Sequence, residues 1–238
     1  MRYRLKGAEN YKETIIMPKH LQREIEILKK KLLHLSTIVE EHVLRAVRSV
    51  EKKDEAMARN VFEQDVIVDK VEIEVEEECL KVLALHQPVA VDLRFIVAVL
   101  KINNDLERIG DLAVNIAERS LYLATLPKFE FSSNFPLMSE RALAMLKKCL
   151  DSFVNLDPKI AAEVCAADDE VDALYRDMYD KIKTGIAEHP DKLDEFMQVL
   201  SISRHLERIA DHATNIAEDV IYMIEGDIVR HRTEEFKK

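Results

Sequence analysis

A thirteen-residue phrase occurs twice in this chain, one hundred residues apart: residues 106–118 read LERIGDLAVNIAE and residues 206–218 read LERIADHATNIAE. Ten of the thirteen positions are identical, so the chain is committed to two copies of one structural unit. At about 100° per residue, Glu107, Asp111, Asn115 and Glu118 fall within one narrow arc of a helix, and Ile109, Leu112, Ala113 and Ile116 point the other way. The second copy repeats the arc with Glu207, Asp211, Asn215 and Glu218. Each phrase therefore turns one face into a core and presents a carboxylate stripe on the other.

What surrounds the phrase points to long helices. The 238 residues are 47% hydrophobic, enough to supply a substantial core. Four glycines and no tryptophan, with abundant Leu, Ala, Glu, Lys, Val and Ile, is a helical balance rather than that of a turn-rich sheet. A net charge of -10 disfavours nucleic acid, whose phosphates need a basic face, and suits a cationic partner or bound metal ions. Cys79, Cys149 and Cys165 are widely spaced and form no CxxC pair, so they read as small buried residues in a reducing compartment. The first nineteen residues are polar and charged without an apolar signal core, and no stretch approaches the roughly 18 apolar residues of a membrane span. These features predict a soluble, cytoplasmic protein.

Proline sets the boundaries. Pro18, Pro88, Pro127, Pro136, Pro158 and Pro190 all fall between periodic segments, where a residue without an N–H is tolerated. The spacing predicts six helices over about 19–53, 56–86, 89–124, 137–155, 159–187 and 191–225. Between the first two, the charged run 51–55 offers Asp54 as an N-cap. Residues 129–136, with Ser132, Ser133 and Asn134, form the clearest linker and divide the chain near its middle. The expected architecture is all-α: two tandem, pseudo-symmetric three-helix bundles, 19–126 and 135–226, with an extension at 1–18 and a tail at 227–238. A period near 100 residues is about three times that of a tetratricopeptide or ankyrin repeat, so a solenoid is disfavoured.

A second acidic pair precedes each phrase. Asp65 and Asp69 lie four apart, followed on the same face by Glu72 and Glu76; Asp168 and Asp172 repeat the spacing in the second half, where Tyr175 and Tyr179 replace the later acids. Antiparallel packing could set these pairs beside Glu107/Asp111 and Glu207/Asp211, gathering four carboxylates per half. Like charges at i and i+4 each cost a helix about 0.2–0.5 kcal/mol. A solvated face neutralised by Arg108, Arg119 and Arg208 is the plain alternative, but keeping the same cost in both halves favours a cation that offsets it. Oxygen ligands from Asp, Glu and Asn suit hard cations such as Ca²⁺, Mg²⁺, Mn²⁺ or ferric iron.

Other chemistries find little support. His205 and His212 share the apolar side of the sixth helix and read as core or interface residues. No Glu stands three residues before any histidine, so the Glu-x-x-His pairs of ferritin-like di-iron bundles are missing. Ser201 and Ser203 near His205 form a helical neighbourhood rather than a nucleophile, and no HExxH, Walker A, GxGxxG or GxSxG motif occurs. Gly110, where the second copy has Ala210, reads as a point of close helix approach.

The twin phrases resemble those of the PhoU family of bacterial phosphate-uptake regulators. Lys101, Asp105, Leu106, Glu107, Arg108, Ile109, Gly110 and Asp111 look like its first motif, and residues 206–213 like its second. The likeness extends to Gln87, Pro88, Asp92, Leu93 and Arg94, and to Val171, Asp172 and Tyr175. The resemblance implies paired three-helix bundles whose Glu/Asp-x-x-x-Asp motifs hold divalent or trivalent metal ions, with iron, zinc, manganese and magnesium as candidates, in multinuclear clusters in some members. On this chain the implied ligands are Asp65, Asp69, Glu107, Asp111, Asn115 and Glu118, then Asp168, Asp172, Glu207, Asp211, Asn215 and Glu218. It further implies a non-enzymatic homodimer, peripherally associated with membrane complexes. Such a protein would repress the phosphate regulon through the Pst transporter ATPase and the PhoR sensor kinase. The competing expectation is an iron-storage or metal-handling protein, and a metallohydrolase using paired carboxylates would need an open metal position in a pocket.

Overall fold

The computed structural model describes residues 19–126 and 134–226. The 1–18 extension, most of the 129–136 linker and the 227–238 tail lie outside the described residues. Six long helices follow in order: α1 Lys19–Lys52, α2 Glu55–His86, α3 Ala90–Thr125, α4 Phe135–Asn155, α5 Pro158–Glu188 and α6 Leu193–Glu225. No strand occurs among the described residues. The starts and stops have local causes. The Asp54 side chain accepts from the Met57 N–H and caps α2, as the charged run predicted. Asp157 accepts from the Lys159 N–H, and Pro158 opens α5, where its missing N–H is not needed. Helix α4 begins two residues ahead of expectation because Pro136 sits in its first turn. Pro190 opens a short 3-10 turn, Pro190–Lys192, so α6 starts two residues late.

The first three helices pack together, as do the last three, and α3 against α6 joins the two bundles, with a smaller contact of α1 on α4. The outer helices bury narrow stripes. In α2, Val61, Val68, Val75 and Val82 recur every seven residues, and α5 repeats the pattern with Val164, Val171, Met178 and Gly185. The seam helices bury wider arcs: Phe95, Ile96, Ala98 and Val99 are all buried in α3, and Ile209, Ala210, His212, Ala213 and Thr214 in α6. Cys79, Cys149 and Cys165 are free and buried, and burial pushes the Cys79 thiol up to about 12.

The acidic pairs and the phrases sit at different offsets: Asp69 to Glu107 spans 38 residues and Asp172 to Glu207 spans 35. Helices α2 and α5 both run uninterrupted up to this turn, and α3 simply begins earlier relative to its phrase than α6 does. The extra residues thus form an added first turn of α3, residues 90–92, while the connection itself, 87–89 against 189–192, is not lengthened; within it and at the helix start, Gln87 (φ 45°) and Ala90 (φ 49°) take left-handed conformations. An insertion inside a helix would have rotated one stripe by about 300°.

Candidate metal centre

Close helix approach places the stripes. A Cβ on Gly110 would stand 3.2 Å from Val68 Cγ1, so α2 and α3 come together at the pair of positions next to Asp69 and Asp111. The consequence is electrostatic contact between the helices. Burial first, and then the charges of Asp69 and Asp111, raise the Asp65 carboxyl above its ordinary range. Glu107 is raised by burial and by Asp111, Glu72 and Asp69, with Arg108 opposing. Burial together with Glu76 and Asp69 does the same for Glu72. The Asn103 amide fixes the Glu72 side chain from α3, donating to Oε1 at 2.9 Å and to the Glu72 carbonyl at 3.0 Å.

In the second half the carboxylates gather more tightly. Asp168 and Asp172 of α5 and Asp211 of α6 each offer one oxygen, and the three lie within 4.8 Å of one another. Asp168 and Asp172 are half-buried and Asp211 faces solvent. Desolvation, then Asp211 and Asp172, push the Asp168 carboxyl up to about 6, against a hydrogen bond that Thr214 Oγ1 donates at 3.3 Å. Burial and Asp172 raise Asp211, opposed by His212 and Arg208. Glu207 is raised by burial and by Asp211, Asp172 and Asp168. Among the described residues this is the group of three acids whose oxygens come close enough to share an ion.

The remaining candidates lie further along the helices. Asn115 turns its amide back to the Asp111 carbonyl at 2.9 Å, and Glu118 lies 3.6 Å from Arg119. Asn215 is exposed. Glu218 faces Cys165 of α5, whose thiol is pushed up to about 12 by burial and by the charges of Glu218 and Asp168. The structure thus brings Asp65, Asp69, Glu107 and Asp111 into one electrostatic group and Asp168, Asp172, Glu207 and Asp211 into another, while the Asn and final Glu of each phrase flank them.

A hard cation fits the donor set of the second group: three carboxylate oxygens within 4.8 Å of one another suit a small divalent or trivalent ion. Asp168, Asp172 and Asp211 would hold it, with Glu207 beside them.

A second polar stripe escaped the sequence reading. His212 Nδ1 lies 2.8 Å from an Asp105 carboxylate oxygen across the α3/α6 seam, and Lys101 Nζ lies 3.1 Å from the buried Asp219 and 5.3 Å from the centre of the Tyr222 ring. These pairs tie one bundle to the other. His212 fills the interface role expected of it. The signal was present: Lys101 and Asp105 are four apart and His212 and Asp219 seven apart, all on one side of their helices.

Paired three-helix bundles carrying matched carboxylate groups where α2 meets α3 and α5 meets α6 define a class of helical, acid-faced proteins. The PhoU domain profile matches residues 32–120 and again 135–220. The chain belongs to the PhoU family. It is 38% identical over 212 residues to a phosphate-specific transport system accessory protein PhoU homolog of Aquifex aeolicus, covering 89% of this chain and 96% of that one. A Clostridium acetobutylicum homolog of the same name is 34% identical, with 87% and 95% covered. The crystal structure of PhoU from Pseudomonas aeruginosa superposes with a TM-score of 0.83 at 33% identity, covering 87% of this chain and all of that one. The phosphate transport system regulatory protein PhoU of Streptococcus pneumoniae gives 0.78 at 29%, covering 88% and 99%.

Proposed function

We propose that this chain is a metal-binding adaptor that represses phosphate uptake and phosphate-regulon signalling, docking on the ATPase of a phosphate-specific transporter and on a PhoR-type histidine kinase. Family membership supports the phosphate reading, since the curated relatives are named as accessory proteins of phosphate-specific transport. The observation that carries the metal reading is the Asp168/Asp172/Asp211 group, in which three carboxylates share a space that one cation would neutralise. Docking in place of turnover is supported by exposed apolar side chains at the turn between α2 and α3, where Leu85, Val89 and Val91 are 70%, 65% and 61% exposed. No helix among the described residues is long and apolar enough to cross a membrane, in keeping with a cytoplasmic homodimer that meets its partners peripherally.

Deleting the gene should derepress phosphate-starvation genes in phosphate-rich medium; unchanged expression overturns the regulatory reading. Elemental analysis of the purified chain should find few ions per chain, lost from the second half in Asp211→Ala and from the first in Asp111→Ala. Equal metal in the wild type and the double variant would sink the metal site, and many ions per chain would favour storage over adaptation.

A further inference from the structure

The two ends of the α3/α6 seam are built from equivalent positions but carry opposite chemistry. A shift of one hundred residues maps Lys101 onto Ser201, Asp105 onto His205, Leu112 onto His212 and Arg119 onto Asp219. At one end, bases meet acids: Lys101 with Asp219 and His212 with Asp105. At the other, bases outnumber acids, and Glu118 lies 3.6 Å from Arg119 Nη2. His205 there is surrounded by Arg208, Arg119 and Arg204, with Glu118 the one carboxylate acting on it. Arg119 Nε is buried with no hydrogen-bond partner, and so is His205 Nδ1. His205 Nε2 lies 3.3 Å from Ser201 Oγ; with the hydroxyl donating, the ring proton sits on Nδ1, which then becomes a second donor lacking an acceptor. Gln198, one turn before Ser201 on the same face, also has an unpartnered buried oxygen, and turning its amide over would present a third donor.

Buried donors left without acceptors are costly. Unpartnered guanidinium and imidazole donors, with the charges of two further arginines acting on the same ring, match the several acceptor oxygens of a small anion. We propose that Arg119, Ser201, His205 and Arg208, with Arg204 at the rim, form a binding site for a tetrahedral oxyanion, inorganic phosphate or sulfate. Ser201 and His205 lie on a different face of α6 from Glu207 and Asp211, with Arg204 and Arg208 bordering both, and the site stands whether or not those acids bind metal.

Calorimetry on the EDTA-treated full chain tests it. Titrated inorganic phosphate should bind saturably, one per chain, and sulfate should displace it. Arg119→Gln and the exposed Arg208→Gln should each weaken binding about tenfold or more. Arg59→Gln, on the exposed face of α2, should leave it unchanged. Asp211→Ala should also retain binding, which separates this site from the metal centre. Absence of heat at millimolar phosphate, equal affinity in wild type and Arg208→Gln, or loss of binding in Asp211→Ala would overturn the proposal.

Discussion

The three positions at which the duplicated phrases differ each have a contact that explains them. Gly110 in place of Ala210 admits Val68 at the α2/α3 crossing, His212 in place of Leu112 meets Asp105 across the seam, and Thr214 in place of Val114 donates to Asp168. The ten conserved positions serve what the halves share, and the three changes serve what each half does alone. The Thr214 hydrogen bond partly supports a carboxylate that is otherwise held against its field. The Asp168 carboxyl stands at about 6 in the fold against an ordinary 3.8, so the folded protein holds more protons than the unfolded one between those values. Stability from this group is therefore highest below pH 3.8, falls as pH rises toward 6, and is level beyond. Asp168→Asn should raise the stability of the metal-free protein at pH 7 by about 1 kcal/mol, a figure held down because water screens the half-exposed group. Thermal unfolding of EDTA-treated samples should show that gap at pH 7 and its closure near pH 4. A gap unchanged with pH would show that repulsion and desolvation are not its source. The same substitution should abolish any stabilisation of the second half by added divalent metal.

At the scale of the element, helical periodicity and proline carried most of the information. Four of the twelve expected helix ends coincide with the observed ones and six more fall within one residue; at the starts of α2 and α5, Asp54 and Pro158 act locally, through a cap and a missing donor that sequence displays directly. Pro136 and Pro190 displaced the starts of α4 and α6, since a proline is compatible both with a boundary and with a first turn. What periodicity could not supply was the partner of each face. The arc of α3 that buries Asn103, Gly110 and Ser120 beside its aliphatic residues touches two bundles at once, and no spacing rule says which. The acidic pairs were legible because they repeat; for Asp105 and His212 the spacing displayed the face each occupies but not that the two, 107 residues apart, would meet. The α5/α6 contact offers a sharper test of packing. A Cβ on Gly185 would fall 2.4 Å from the Phe196 ring, which is 1% exposed and has no room to swing away. Gly185→Ala should cost about 1–3 kcal/mol through overpacking, despite the better helix propensity of alanine. Removing the α2 cap with Asp54→Ala should cost about 1 kcal/mol. Urea denaturation checks both, and a stabilised Gly185→Ala would mean that Phe196 is held less firmly than the packing indicates.

For the whole molecule, the decisive surface is the seam, because it makes the larger part of the contact between the two bundles. The seam is apolar along most of its length, with Ile102, Leu106, Ile109, Leu206, Ile209 and Ala213 fully buried on its two helices. Its ion pairs add direction to that burial. Asp219 is 2% exposed, and Lys101, whose side chain keeps 37% of its exposure, spans from the surface to reach it while lying over Tyr222. Attraction between the pair is set against the desolvation of a carboxylate, so its net contribution is small, yet removing Lys101 takes away part of what compensates a buried charge. Lys101→Met should therefore destabilise the protein by about 2 kcal/mol or more, whereas Lys101→Met combined with Asp219→Leu should recover most of the loss, since two apolar side chains fill the same seam without a charge. A double-mutant cycle in urea isolates the coupling between the two sites. Additive losses in the double variant would show that each residue acts through other neighbours and that the seam is held by its aliphatic contacts alone.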